Sequence, residues 1–369
     1  MLLVDGVRML KIFAVGIGAI LLLGGLTVFW FSGEPTTRLV DASGNRLTAG
    51  TDAETTVPEA SPFAEARALI EEEAFAAARE VLVDLLQATD RDGEACILLS
   101  DVCRQLEEAE AAVDFGLKAV ELLPESAPAH LAYAQAIGLQ MMQSGGGIAA
   151  IARMAPRLKR MTAECERVIE LDPQDTDART ILAMTNMVLP KFLGGDIAHS
   201  VQLAKEIEAL KPVEGKKLLA LAYYRDEQVD QAIDLCISAA EEYPDEHGFH
   251  VTLGGFYADQ ERFSEADAAY DAARRGEKDA DYYSSLYMQA AMRIDNEFEP
   301  ERSVELLAEF IAAEPEGEFV PSVSRALYRQ GSAHRQLGDI PAARQAFEAS
   351  LALEPDLEEA TEALAALAD

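Results

Sequence analysis

The chain has 369 residues, with 65 Asp and Glu against 31 Lys and Arg and a formal charge of −34 at neutral pH. Charge of that sign and size excludes a nucleic-acid partner held by bulk electrostatics. Hydrophobic types make up 49% of the residues, enough for a sizeable core, so a mainly disordered acidic chain is excluded too. A single Trp, 7% aromatic residues and alanine throughout favour closely packed helices, and hence an all-α fold, over sandwiches or barrels.

The first element in chain order is an uninterrupted stretch of 20 uncharged residues, 12–31, IFAVGIGAILLLGGLTVFWF. At about 1.5 Å per residue it matches the ~30 Å hydrocarbon layer of a bilayer. It ends in Phe29-Trp30-Phe31, which suits a membrane interface and does not suit signal peptidase. The expectation is an uncleaved transmembrane helix. Arg8 and Lys11 precede it and the next cation is Arg38, so residues 1–11 are expected in the cytoplasm and the rest outside it, in the periplasm of a Gram-negative source. Residues 32–58, rich in Gly, Pro, Thr and Asp, read as a flexible linker.

From residue 59 onward, helical stretches end at Pro124, Pro173, Pro212, Pro244, Pro315 and Pro355. Counted back from Pro355, small or apolar residues fall at Ser350, Phe347, Ala343, Gly338, His334, Gly331 and Leu327. The same offsets from Pro244 give Ala239, Cys236, Ala232, Glu227, Tyr223, Ala220 and Lys216, and a further stretch gives Gly254, Tyr257, Ala266, Tyr270 and Ala273. This pattern resembles the tetratricopeptide repeat family, a 34-residue helix–turn–helix unit. The resemblance implies a right-handed α-solenoid of about eight units over 59–357: 59–92, 93–126, 127–175, 176–212, 213–246, 247–280, 281–317 and 324–357. Residues 358–369 read as a C-terminal capping helix. Small residues such as Gly331 and Ala343 let paired helices approach, while Phe347 or Tyr270 fills the gap to the next unit.

Two units are long. Pro124 to Pro173 is 49 residues, 15 more than the repeat, with the excess expected as a loop around 141–147. Beside it lies the densest basic cluster of the chain, Arg153, Arg157, Lys159 and Arg160. Pro173 to Pro212 is 39 residues, 5 more than the repeat, at Pro190-Lys191-Phe192-Leu193-Gly194-Gly195-Asp196; positive φ is expected at both glycines and an N-cap at Asp196.

Chemistry-bearing motifs are absent. Cys96, Cys103, Cys165 and Cys236 all fall on interhelical positions and read as small buried residues rather than disulfides. His130, His199, His247, His250 and His334 lack metal spacing, with His250 and His334 expected in the core. No nucleophile elbow, phosphate loop or dinucleotide fingerprint occurs. The reading is therefore no enzyme, no metal and no cofactor. In the family it resembles, the first helix of each unit lines a concave partner groove, which in register gives Met184, Met187, Lys217, Tyr224, Arg225, Met288, Met292, Arg325, Tyr328 and Arg335. Exposed Met, Tyr and Arg are adaptable apolar contacts and anchors for a peptide. The expected function is a membrane-anchored scaffold binding a protein or peptide, itself membrane-associated, in assembly or quality control of envelope proteins. The alternative is a solute-binding or transport-accessory protein, in which the groove or the basic insertion holds a small acidic ligand.

Overall fold

A computed structural model describes residues 63–89, 92–143, 148–191, 194–315 and 320–367. The proposed span 12–31 and linker 32–58 lie outside these residues; no helix among the described ones is long and apolar enough to cross a membrane. The described residues form seventeen helices and no strand, in two compact units, Met1–His199 and Ser200–Asp369.

The first unit holds α1 (Ala64–Glu71), α2 (Phe75–Thr89), α3 (Gly93–Gln105), α4 (Ala109–Leu122), α5 (Ala127–Met142), α6 (Ile148–Leu171) and α7 (Asp177–Val188), and α8 (Ile197–Leu210) starts at its end. The second holds α9 (Pro212–Arg225), α10 (Val229–Glu242), α11 (Gly248–Asp259), α12 (Phe263–Ala273), α13 (Ala280–Asp295), α14 (Pro300–Ala313), α15 (Val323–Gln336), α16 (Ile340–Leu353) and α17 (Glu358–Ala365). Within each unit, successive helices pack as hairpins and the hairpins stack, a tetratricopeptide-like arrangement.

Packing follows the small-against-large logic of the sequence. A Cβ on Gly331 would lie 2.6 Å from the Phe347 ring, and one on Gly254 would lie 2.6 Å from Tyr270 Cε1. Phe347 and Tyr270 are correspondingly buried, at 0% and 1% exposure. All four cysteines are buried free thiols, and burial raises the thiol pKa of each, to about 11 for Cys103 and about 12 for Cys236.

Six hairpin turns share one geometry. In the eighth unit, the N–H of Gly338 reaches Arg335 O and that of Asp339 reaches His334 O, with Gly338 at φ +75°. This double bond satisfies helix-end carbonyls and requires a left-handed residue, for which glycine is cheapest. Here Glu73, Glu107, Glu227, Glu261 and Glu297 take that conformation in the equivalent turns. Four N-termini are capped by the N-cap side chain: Asp92 accepts from the Glu94 and Ala95 N–H groups, Asp279 from Tyr282, Ser322 from Arg325 and Asp339 from Ala342.

Two departures from the expected pattern appear in the long units. The excess of the third unit is not mainly a loop: α6 has 24 residues where α4, α10, α14 and α16 have 14 each, and it runs through Pro156. In the fourth unit Gly194 takes φ +99°, as expected, but Gly195 does not take positive φ. Gly195 is needed for space instead, since a Cβ would sit 1.8 Å from Leu189 O. Asp196 Oδ1 accepts the His199 N–H at 3.1 Å and caps α8.

Candidate interaction surface

Ten residues were expected to line a groove, and the structure separates them into three groups. Met184 and Met187 in the first unit and Met292 in the second are 3%, 6% and 6% exposed, so they are core residues and not groove contacts. The shared turn explains Met292. Counted from Glu297, it stands in step with Ala222, Phe256 and Ala333, all buried where neighbouring first helices meet. Met292 packs with Ala266 and Tyr270.

The second group is partly exposed but engaged by neighbouring helices. Lys217 Nζ lies 3.1 Å from Glu246 Oε2 and 5.7 Å above the Phe249 ring. Tyr224 stacks on Phe256 at 4.2 Å with 3° between planes, and its hydroxyl donates to Asp259 Oδ2 at 3.2 Å. The same hydroxyl accepts from Gln260 Nε2 at 3.3 Å. Burial raises the Tyr224 pKa and lowers that of Arg225, while Asp259 opposes the shift at Arg225. Tyr328 lies 5.9 Å from the Phe347 ring and is half-buried against it. These residues join α9 to α11 and α15 to α16 more than they face outward.

The third group is Met288, Arg325 and Arg335, all exposed. Among the described residues no ion pair involves Arg325 or Arg335. They sit on α15, which carries Arg325, Arg329, His334 and Arg335 and no acid, although the chain's charge is −34. Arg329 is paired with Asp295 of α13. A surplus of cations on one first helix thus remains after internal pairing.

The basic insertion is helical. Arg157, Lys159 and Arg160 on α6 are exposed, and Arg153 lies on the same helix with its side chain outside the described part. Arg160 Nε lies 2.6 Å from Glu164 Oε1, and its guanidinium stands 5.4 Å above the Tyr133 ring. Glu164 is 5% exposed and also meets His130 Nδ1. His130 Nε2 bonds Pro124 O at 2.9 Å, and Arg179 Nη2 bonds Pro173 O at 2.8 Å. Each donor stands six residues after its proline and ties down the inter-repeat turn. Arg160 therefore has a structural partner in Glu164.

Sequence reasoning missed a buried polar network in the second unit. Arg293, 6% exposed, meets Asp267 Oδ2 at 2.6 Å and also Glu299, with the Phe298 ring 5.2 Å away. Gln289 Nε2 donates to Asp267 Oδ1 at 2.8 Å, and Arg274 Nη2 donates to Gln289 Oε1 at 2.7 Å. The available signal was an arginine inside the apolar run Ala290-Ala291-Met292-Arg293-Ile294. His250 and His334, expected in the core, are only half-buried. No group of three or more His, Cys, Asp or Glu among the described residues is arranged to hold a metal.

Residues 217–282 and 324–357 match two models of the tetratricopeptide repeat family. No curated protein matches the chain in sequence. Among solved structures, the chain is similar to yeast Tom70, with 15% identity, 98% of this chain and 73% of that one covered, and a TM-score of 0.65. It is also similar to a tetratricopeptide repeat protein from Parabacteroides merdae ATCC 43184, with 9% identity, 74% and 97% covered, and a TM-score of 0.53. At these identities the likeness concerns the fold. Residues 217–282 and 324–357 are thus similar to tetratricopeptide repeats, units that generally mediate protein–protein interaction.

Proposed function

We propose that this protein is a membrane-anchored interaction scaffold. Residues 12–31 hold it in the bilayer, residues 32–58 tether it, and the first-helix face of the Ser200–Asp369 unit receives a membrane-associated protein, in assembly or quality control of envelope proteins. The single observation that supports this reading most is α15, whose exposed Arg325 and Arg335 side chains form no ion pair among the described residues. Confinement to a membrane raises the effective concentration of a modest binding face toward partners in the same bilayer. An acidic or polar peptide segment with an apolar side chain for Met288 matches the chemistry of that face.

The test is crosslinking of the full-length chain in native membranes, followed by mass spectrometry. The expected result is one enriched protein partner that is lost when Arg325→Glu and Arg335→Glu are combined. Equal recovery with and without the charge reversals contradicts the assigned face, and recovery of no protein contradicts the scaffold. Orientation is checked separately with a C-terminal reporter active only outside the cytoplasm; an inactive reporter in a folded fusion contradicts the topology.

A further inference from the structure

We propose that the joint between the second and third units is a proton-operated clasp, closed while one proton is held between His130 and Glu164 and slack once it is lost. The joint is made of the Pro124 turn, α5 and α6. His130 Nε2 bonds Pro124 O at 2.9 Å, and Nδ1 bonds Glu164 Oε2. Both side chains are sealed, at 8% and 7% exposure. The other oxygen of Glu164 accepts Arg160 Nε at 2.6 Å. A peptide carbonyl and a carboxylate have no proton to give, so the ring must donate from both nitrogens. A neutral imidazole has one N–H and closes only one of the two bonds. The complete set of contacts therefore holds one proton beyond a neutral ring and an ionised carboxyl.

Register shows that this proton comes from the choice of residue and not from the repeat. Cys96, His130, Arg179, Lys216, His250 and Leu327 hold the same place in their units. Arg179 donates to Pro173 O at 2.8 Å as His130 does to Pro124 O, but with a guanidinium that keeps its charge. Lys216 stands between Glu208 and Glu242, at 3.4 and 3.2 Å. Around His250 the surroundings are of the opposite kind: burial, His247 and Arg275 lower its pKa. His130 thus joins a titratable ring to two acceptors. The other groups near the joint do not supply its proton. On α6, Arg167 is paired with Glu125 and Glu170. From α4, Glu121 lies near Tyr133 and Lys118 near Cys96, and from α3 comes Cys96 itself, whose thiol burial raises.

Loss of the proton leaves either the Pro124 carbonyl or the Glu164 carboxylate buried without its donor, and each is a tie between elements. The sign of the effect follows from proton counting. Above about pH 6.5, the ordinary value for a free imidazole, an opened joint gives its proton to water while the closed one keeps it. Closure therefore weakens as pH rises, by at most about ten-fold in its equilibrium per pH unit, and is level below that point. The hairpin of α5 and α6 then rests on the apolar contacts of Cys96 with Ala119 and Ala129 and of Cys103 with Ala112 and Ala136. Where Arg179 gives a joint of constant stiffness, His130 gives one whose stiffness follows pH.

The experiment uses the full chain in a zwitterionic detergent and reads amide hydrogen exchange of residues 127–134 between about pH 6 and pH 8.5, corrected for intrinsic exchange. Residues 177–183, around Arg179, serve as the reference. The expected result is a loss of protection at 127–134 at least ten-fold larger than at the reference. Glu164→Gln is expected to remove that difference and keep the protection, because its amide donates to Nδ1 of a neutral ring and every bond closes without the extra proton. His130→Arg is expected to do the same by the Arg179 arrangement. Nitrogen-15 spectra read the proton itself: two ring N–H groups on His130 near pH 7 in the natural chain, one in Glu164→Gln. A level profile in the natural chain, or one ring N–H there, overturns the proposal. A slope that survives both variants belongs to another group and overturns it too. If Glu164→Gln does not fold, the ring spectrum of the natural chain and the profile of His130→Arg decide.

Discussion

Phe347 on α16 and Arg293 on α13 are both buried, yet opposite means hold them. Phe347 lies on Gly331 and Ala343 in an apolar seam where shape alone decides the fit. Arg293 enters a seam of charges and amides that runs from Arg274 through Gln289 and Asp267 to Glu299. The hairpin geometry is the same in both, so the repeat specifies backbone spacing and leaves the chemistry of the seam open. An apolar seam gains from transfer out of water, whereas a polar one must first recover the cost of desolvating its ions. The polar seam is therefore a device for fixing which helix faces which, more than a source of stability.

The comparison breaks most clearly at Phe347. Phe347→Ala is expected to lower stability by about 3–5 kcal/mol in denaturant unfolding, because it leaves a cavity over Gly331 that the backbone cannot close. A loss below 1 kcal/mol would mean that the seam is not close-packed.

A half-buried carboxylate without an ion-pair partner among the described residues marks the other extreme, in the first unit. Asp175 accepts the Ala178 N–H at 2.8 Å, and burial raises its pKa from 3.8 to about 6, with Asp177 and Asp172 adding to the rise and Arg179 opposing it. A carboxyl whose pKa is raised in the fold stabilises the protonated form. Its contribution is full below about pH 4 and is lost as pH rises through 6. Asp175→Asn, which retains an acceptor for the cap, is expected to gain up to about 3 kcal/mol at pH 7 and to flatten stability between pH 4 and 7. An unchanged pH profile would show that water already solvates the group.

Arg293→Ala should cost less than Phe347→Ala, about 1–3 kcal/mol, since Asp267 and Glu299 keep part of their hydration at 26% and 70% side-chain exposure. Arg293→Met combined with Asp267→Asn should recover most of that loss. If the double variant is as unstable as the single, the charges themselves carry the seam. The smallest effect is expected at Gly255 in α11, where an added Cβ would meet nothing within 4 Å. Gly255→Ala should raise stability by about 1 kcal/mol through helix propensity alone, read as an increase in Tm.

What the sequence made legible follows the same division. Gly331 with Phe347 and Gly254 with Tyr270 announced their seams, because small and large residues at fixed spacing have one packing solution. The four cysteines were equally readable from register. Met292 was not, since the seventh turn is marked by Glu297 in a left-handed conformation where glycine would have shown the register. Arg293 was hidden because its partners come from α12 and from the turn before α14, and no local pattern records contacts 26 residues apart. The excess of the third unit was read as a loop from Gly145, Gly146 and Gly147, whereas α6 begins immediately after them and continues through Pro156. Met184 and Met187 show the ambiguity of methionine, which suits a core gap and an open groove equally well.

The face left over by these seams is small: Met288 on α13 and the cations of α15. Its role is tested most directly by the crosslinked partner of the full-length chain in native membranes, compared between the natural protein and the Arg325→Glu/Arg335→Glu variant at matched stability. Capture of one protein by the natural chain and at least ten-fold less by the variant is the expected result. Undiminished capture by the variant would contradict the binding face, and no capture by either would contradict a scaffold.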